Sequence, residues 1–525
     1  MPTSRTRIIP EVDFARNGRQ HGFLRLFHSV HSSAYGFIPI PIVVLKNGDG
    51  PTALFVSGTH GDEYEGQVAL CNLAKSLDPA RIHGRVIILP AANFPAAVAG
   101  RRTSPIDEGN LNRLFPGDPD GTVTQQIAYY IEHELIPLAD LVCDLHSGGS
   151  SLMYVPSVLL GDYSRDADMT RGLAALQAFA SPLAYVVEAN QGGGGNRTLS
   201  GGAIRHGVLA LGTELGGSGH VTGAALRIAE RGVNNLLVHL GILPDTARIA
   251  PDGPTRTLEV GGADYYVYTP DNGLFEPLVE LGDMVRAGQR TSPIDEGNLN
   301  RLFPGDPDGT VTQQIAYYIE HDLIPLADLV CDLHSGGSSL MYVPAVLVGG
   351  YSRDADMTRQ LAALQAFASP LAYVIAANQG GDRTLSGGAI RHDVLALGTE
   401  LGGSGHVTRA ALRIAERGVN NLLVHLGVLP DAARIAPDGP TRTLEVGGAD
   451  YYVYTPENGL FEPLVELGDT VSAGQPAARI HFPETPWAEP VTANFTHDGF
   501  VLCKRMPGRT MRGDCLFHLG TDLAV

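Results

Sequence analysis

Apolar residues follow two rhythms along this chain. "IPIVVLKN", "TALFVS" and "RVIILP" are short, β-branched runs of the kind that form strands buried on both faces. Between them the spacing turns helical. One such stretch follows "TALFVSG" and covers roughly Glu63–Lys75. Another starts at Thr122, sets Val123, Ile127, Ile131 and Leu135 on one face, and stops at Pro137. "LADLVCDLH" and "VLALGTEL" read as further buried strands, and "VTGAALRIAERGVNNLLVHLG" as a long amphipathic helix closed by glycine. The alternation predicts an α/β fold, a mainly parallel or mixed sheet flanked by helices. In such sheets chemistry collects at the carboxyl ends of the strands.

From about Ile249 the pattern changes to short β segments separated by turns. "NGLFEPLVELGDTVSAGQPAARIHF" and "HDGFVLCKRMPGRTMRGDCLFHLG" read as two halves of a small C-terminal β-barrel-like domain. They resemble the biotinyl/lipoyl hammerhead pattern. A carrier role needs a lysine at the hairpin between the halves, and "HFPETPWAEPVTANFT" has none. A structural or lid role is the expectation.

Much of this pattern occurs twice. Residues 102–289 match 290–475 with about fifteen substitutions and one two-residue deletion, where "NQGGGGNRT" becomes "NQGGDRT". Solenoid units are far shorter and end at element boundaries, so this is an internal block of an ordinary globular chain carried in duplicate. The expected organisation is a catalytic core over 1–250 and a truncated first half of the β domain over 251–289. A partial core without the early strands then covers 290–440, and the complete β domain covers 441–525.

The net charge of −19 argues against a nucleic-acid partner, which calls for clustered Lys and Arg. The amino-terminal stretch has no apolar signal-peptide core, and no apolar run is long enough to span a membrane. Five scattered cysteines without a C-x-x-C pair fit free thiols in a reducing compartment. The expectation is a cytoplasmic protein with a small-molecule substrate and no membrane partner; a homo-oligomer is left open.

Three polar positions at strand ends carry the chemistry. In "THGDE", His60 and Glu63 stand three apart on a turn into a helix, a spacing that lets both face one ion. Alone this H-x-x-E is an ordinary surface turn. His146 closes "LADLVCDLH" and supplies a third ligand from another strand end, giving a His-Glu-His set that leaves zinc one position for water. Asp144, two residues before, can orient a ligand histidine or equally be an ordinary strand-end polar residue. Glu214 ends "VLALGTELGG", where a carboxylate can take a proton from the attacking water and hand it to the leaving amine. Asn112 and Arg113 in "NLNR" pair an amide with a guanidinium able to grip a carboxylate, and Arg102 or its neighbour Arg101 can polarise a scissile carbonyl. Outside such a set, each arginine is a plain surface charge and Glu214 a loop-edge acid. Ser147 lacks a G-x-S-x-G elbow, so a serine nucleophile is not indicated.

H-G-D-E, R-T-S-P-I-D, N-L-N-R-x-F-P-G, D-L-H-S-G-G and G-T-E-L-G-G occur in that order. The set resembles the succinylglutamate desuccinylase/aspartoacylase family and covers essentially all the chain once one copy is set aside. The opening "VDFARNGRQHGFL" is most similar to members that act in ectoine breakdown. The resemblance implies a zinc-carboxypeptidase-like fold with an added β domain and removal of a small acyl group, acetyl above all, from an N-acyl amino acid. It implies one zinc on His60, Glu63 and His146, Glu214 as general base, Arg102 on the carbonyl, and Asn112 with Arg113 on the substrate carboxylate.

The duplication departs from that pattern. His60 and Glu63 are single, whereas the second copy offers Arg290, Asn300, Arg301, His334 and Glu400. One amino-terminal segment therefore has two claimants. Loop entropy scarcely separates them, since doubling a loop costs only about 0.6 kcal/mol. Chain order favours the first copy, which can dock before the second is made. Two other functions fit the same residues. A metallocarboxypeptidase would cleave a C-terminal dipeptide, and a binding-only relic of the duplication would hold no zinc.

Overall fold

A computed structural model describes residues 6–31, 33–161, 166–187, 195–260, 298–349, 354–375 and 383–523. Arg290 lies outside them, as do 261–289 of the truncated β segment.

The amino-terminal segment and the first copy build one ten-stranded mixed sheet. Its strands are β1 (Ile8–Pro10), β2 (Gly18–Phe27), β3 (Phe37–Asn47), β4 (Thr52–Ser57), β5 (Gly84–Leu89), β6 (Leu141–Leu145), β7 (Ser157–Gly161), β8 (Leu183–Val187), β9 (Leu209–Glu214) and β10 (Arg256–Val260). Their order is β1-β2-β3-β5-β4-β6-β9-β7-β8-β10. The centre, β5-β4-β6-β9, is parallel, while β1-β2-β3-β5 is antiparallel and β7 runs against β9. The sheet is thus more mixed than the alternation alone suggests, because the antiparallel early strands need no crossover helices.

Helices α1 (Tyr64–Ser76), α4 (Asp166–Phe179) and α6 (Gly223–His239) cover one face; α2 (Phe94–Ala99), α3 (Val123–Tyr130) and α5 (Leu199–Arg205) cover the other. Alternate strand residues divide accordingly. Ala53 and Phe55 of β4 join the first core and Leu54 and Val56 the second, as a pleated strand buried on both sides requires. α3 begins with a capping box between Thr122 and Gln125, and its expected face runs on through a π turn, Ile131–Leu135.

The second copy repeats the carboxyl-terminal part of this layout: α7 (Val311–Tyr318), β11 (Leu329–Asp332), β12 (Leu340–Tyr342), β13 (Ala345–Gly349), α8 (Asp354–Phe367), β14 (Leu371–Ile375), α9 (Leu385–Arg391), β15 (Leu395–Glu400), α10 (Arg409–His425) and β16 (Arg442–Val446). The chain closes with β17 (Tyr452–Tyr454), β18 (Gly459–Pro463), β19 (Thr470–Val471), β20 (Pro476–His481), β21 (Val491–Asn494), β22 (Gly499–Arg505), β23 (Arg509–Thr510) and β24 (Cys515–Asp522). The second sheet runs β11-β15-β13-β14-β16-β24-β22-β12, so carboxyl-terminal strands extend the repeat's sheet. A separate sheet, β21-β20-β18-β23, packs with them around Phe461, Phe495 and Phe517. No helix among the described residues is long and apolar enough to cross a membrane.

Candidate metal centre

β4 delivers its carboxyl end to "GTHGDE" in the middle of the first sheet. Gly61 packs so closely on Ala96 that an added Cβ would lie 2.1 Å from its backbone, and Gly66 likewise presses α1 hard against Leu145. These contacts set the helix start beside the end of β6. Glu63 is the N-cap of α1, yet its side chain makes no capping bond. Its carboxylate turns instead between two imidazoles.

His60 Nδ1 lies 2.7 Å from Glu63 Oε1, and His146 Nδ1 lies 2.7 Å from Oε2. The opposite ring nitrogens are held from outside: His60 Nε2 is 3.1 Å from Asn110 Oδ1, and His146 Nε2 is 2.7 Å from Asp144 Oδ2. Thr59 Oγ1 in turn donates to Asp144. Three candidate ligand atoms of His60, Glu63 and His146 lie within 4.8 Å of one another, the one such group among the described residues. All three side chains are largely buried. Two imidazoles and a carboxylate, each imidazole anchored at its far nitrogen, are a donor set suited to zinc. Burial would raise the Glu63 carboxyl, but the charges of His146 and His60 hold it well below the usual range. Burial works against a charged His146, and Asp144 with Glu63 overcomes it, raising that imidazole well above its ordinary value.

Glu214, the last residue of β9, meets this group. Leu215 N and Thr213 Oγ1 both donate to the carbonyl of His146 at 3.0 Å, tying the two strand ends together. Glu214 Oε2 is buried without a hydrogen-bond partner. Burial, then the charge of Glu63, push the Glu214 carboxyl up to about 8, against the pull of His146 and Arg102. Arg102 Nη1 donates to Glu63 Oε1 at 3.3 Å from a partly exposed position, whereas Arg101 reaches outward to Glu108. Asn112 bridges inward: its Nδ2 is 3.1 Å from His146 Nε2, and its Oδ1 accepts from Leu199 N. Arg113 is half-buried, and burial followed by the charges of Arg102 and Arg197 lowers its affinity for its proton. Arg102 and Arg197 thus stand near enough to Arg113 for their charges to act on it.

Asn110, Thr59 and Arg197 were not singled out by their sequence context. Asn110 stands two residues before Asn112 in "GNLNR", and that paired asparagine is the one signal by which it could have been found. Arg197 sits beside a glycine-rich stretch with no sequence signal at all.

The second copy reproduces only the part of this arrangement that its own sequence encodes. Asn300 Nδ2 lies 3.2 Å from His334 Nε2, His334 Nε2 lies 3.2 Å from Asp332, and Asn300 Oδ1 accepts from Leu385 N. His334 has a side chain 42% exposed, against 12% for His146. Carboxyl-terminal strands close over this copy: β12 pairs with β22, Val343 N donates to Leu502 O, and Met506 N donates to Ser339 O.

The class defined by this geometry is a mixed α/β protein with a zinc-type donor cluster at the carboxyl ends of its central strands. The profile of the succinylglutamate desuccinylase/aspartoacylase catalytic domain matches residues 49–240 and 284–426, and the chain belongs to that family of deacylases. It is 45% identical over 294 residues to the N-alpha-acetyl-L-2,4-diaminobutyric acid deacetylase of Halomonas elongata, covering 56% of this chain and 84% of that one. Two solved structures are each 26% identical. Against a succinylglutamate desuccinylase/aspartoacylase from Rhodobacter sphaeroides the TM-score is 0.43, with 99% of this chain and 100% of that one covered. Against the product-bound ectoine utilization protein EutE (DoeB) from Ruegeria pomeroyi it is 0.44, with 99% of each covered.

Proposed function

We propose that this chain hydrolyses the amide bond of N-acetyl-L-2,4-diaminobutyrate, with one zinc ion held by His60, Glu63 and the first-copy His146. The observation that carries this reading is the convergence of those three donors from two strand ends within 4.8 Å. The relationship to the Halomonas elongata deacetylase supports the substrate.

Zinc held by such a set makes water acidic enough to attack at neutral pH and polarises a carbonyl. The remaining work falls to the chain. Glu214, buried with one oxygen unpartnered, would be drawn back to its carboxylate form by the charge of a bound zinc, and so would receive the proton of the attacking water and return it to the departing amine. Arg102, already beside Glu63, stabilises the oxygen on which charge develops. Arg113, with Arg197 close by, anchors the substrate carboxylate through a planar fork. Asn112 positions that grip by holding His146 and the first turn of α5 together. Asp144 and Asn110 keep the imidazoles aimed inward.

The test is zinc content and acetate release on one purified sample. About one zinc per chain with chelator-sensitive acetate release is expected. A zinc-loaded chain that cleaves C-terminal dipeptides and leaves the acetylated amino acid intact would overturn the substrate, and full activity after metal removal would overturn the mechanism.

A further inference from the structure

A cavity of about 640 Å³ opens between α1, α6 and the strand β20, away from the imidazoles. Its polar walls are Asn72, Lys75, Glu230, Asn234, Arg479 and Glu489. Lys75 stands twelve residues beyond Glu63 on the same helix, about 18 Å along its axis at 1.5 Å per residue. We infer that this cavity binds a free α-amino acid as a zwitterion, with the carboxylate on Lys75 and Arg479 and the ammonium on Glu230 and Glu489.

The hydrogen bonds leave both halves of that ligand a place. Behind the cavity, buried Glu462 is shared: His481 Nε2 lies 2.5 Å from one oxygen, and Arg479 donates to the other at 3.3 Å. Lys75 Nζ lies 3.1 Å from His481 Nδ1, which occupies one of its three donor directions. On the facing helix, Glu230 accepts from Asn72 at one oxygen, at 2.8 Å. Charges of both signs interleave in its lining. Burial weakens the hold of Lys75 on its proton, while Cys71, Glu489 and Glu462 oppose this. Burial and then the nearby Glu462 raise the Glu230 carboxyl. A ligand carrying one charge of each sign meets a partner for both in this lining; a simple anion or cation meets a partner for one only. The volume lies in the range of small-molecule sites and leaves room for a side chain or bridging water.

Glycine titrated into the full chain by calorimetry tests this site independently of the proposed reaction. Binding should persist in Arg113→Ala, weaken about tenfold or more in Lys75→Met and in Glu230→Gln, and be largely restored in Lys75→Arg. Acetate and methylamine should each bind about tenfold more weakly than glycine. Acetate release at saturating substrate should be unchanged in Lys75→Met, which also shows that the variant folds. Glycine binding that disappears in Arg113→Ala, survives Lys75→Met unchanged, or is matched by acetate would overturn the assignment.

Discussion

His146 and His334 sit in the same run, "LVCDLHSGGSSLMYVP", each held by an asparagine from an identical "NLNR". Asn112 and Asn300 even share backbone angles, φ −78, ψ 21 and φ −77, ψ 22. What surrounds them differs. β6 is fully buried between β4 and β9, whereas β11 pairs among the described residues with β15 alone and its residues are half-buried. Ile127 is 1% exposed and its twin Ile315 46%; Leu145 is 1% exposed and Leu333 50%. Identical residues take identical local shapes, but their environment comes from whatever packs against them. The single amino-terminal segment supplies that environment to the first copy, and with it the two candidate ligands, His60 and Glu63, that the repeat lacks. Carboxyl-terminal strands pair along the second.

Breaking this comparison starts at the proposed base. Glu214→Gln should lower the rate of acetate release about a thousandfold, while Glu400→Gln stays near wild type. Equal losses would mean that both copies work. Next, Arg113→Lys should raise KM about tenfold with a smaller change in kcat, since a point charge replaces a planar fork, and Arg301→Lys should do neither. Burial predicts the third contrast. Leu141→Ala should cost about 3 kcal/mol in chemical denaturation, and Leu329→Ala, on the half-buried twin strand, about 1 kcal/mol. A last contrast, in pH, concerns the strands that pair with the second copy. His518 lies against Tyr373 and Tyr342, and burial holds its imidazole at about 4 rather than 6.5. The unfolded chain then takes up a proton that the folded chain refuses. Stability is complete above about pH 6.5 and falls toward pH 4, by up to about 3 kcal/mol from this group. His518→Phe should flatten that acid limb in denaturation midpoints measured across pH.

The strands and helices around the imidazoles were legible because their apolar periodicities are long and unbroken. β4 and α1 lie within a residue of where the pattern puts them, and β6 within three. His60, Glu63 and His146 were legible because they follow strand ends, where a parallel sheet leaves side chains free to converge. Glu63 carried an added signal: a glutamate is a poor N-cap, and one placed there serves something other than the helix. The supporting residues were not legible. Asn110 reaches His60 through loop geometry that no period encodes. The repeat also concealed its own asymmetry, since two near-identical blocks carry no mark of which neighbour each will acquire.

One N-terminal segment serving the first copy alone is the arrangement on which the chemistry depends, and paired histidine variants test it most directly. Zinc content and acetate release should both fall to background in His146→Ala and remain near wild type in His334→Ala. Zinc and activity retained in His146→Ala but lost in His334→Ala would contradict the account and assign the centre to the second copy.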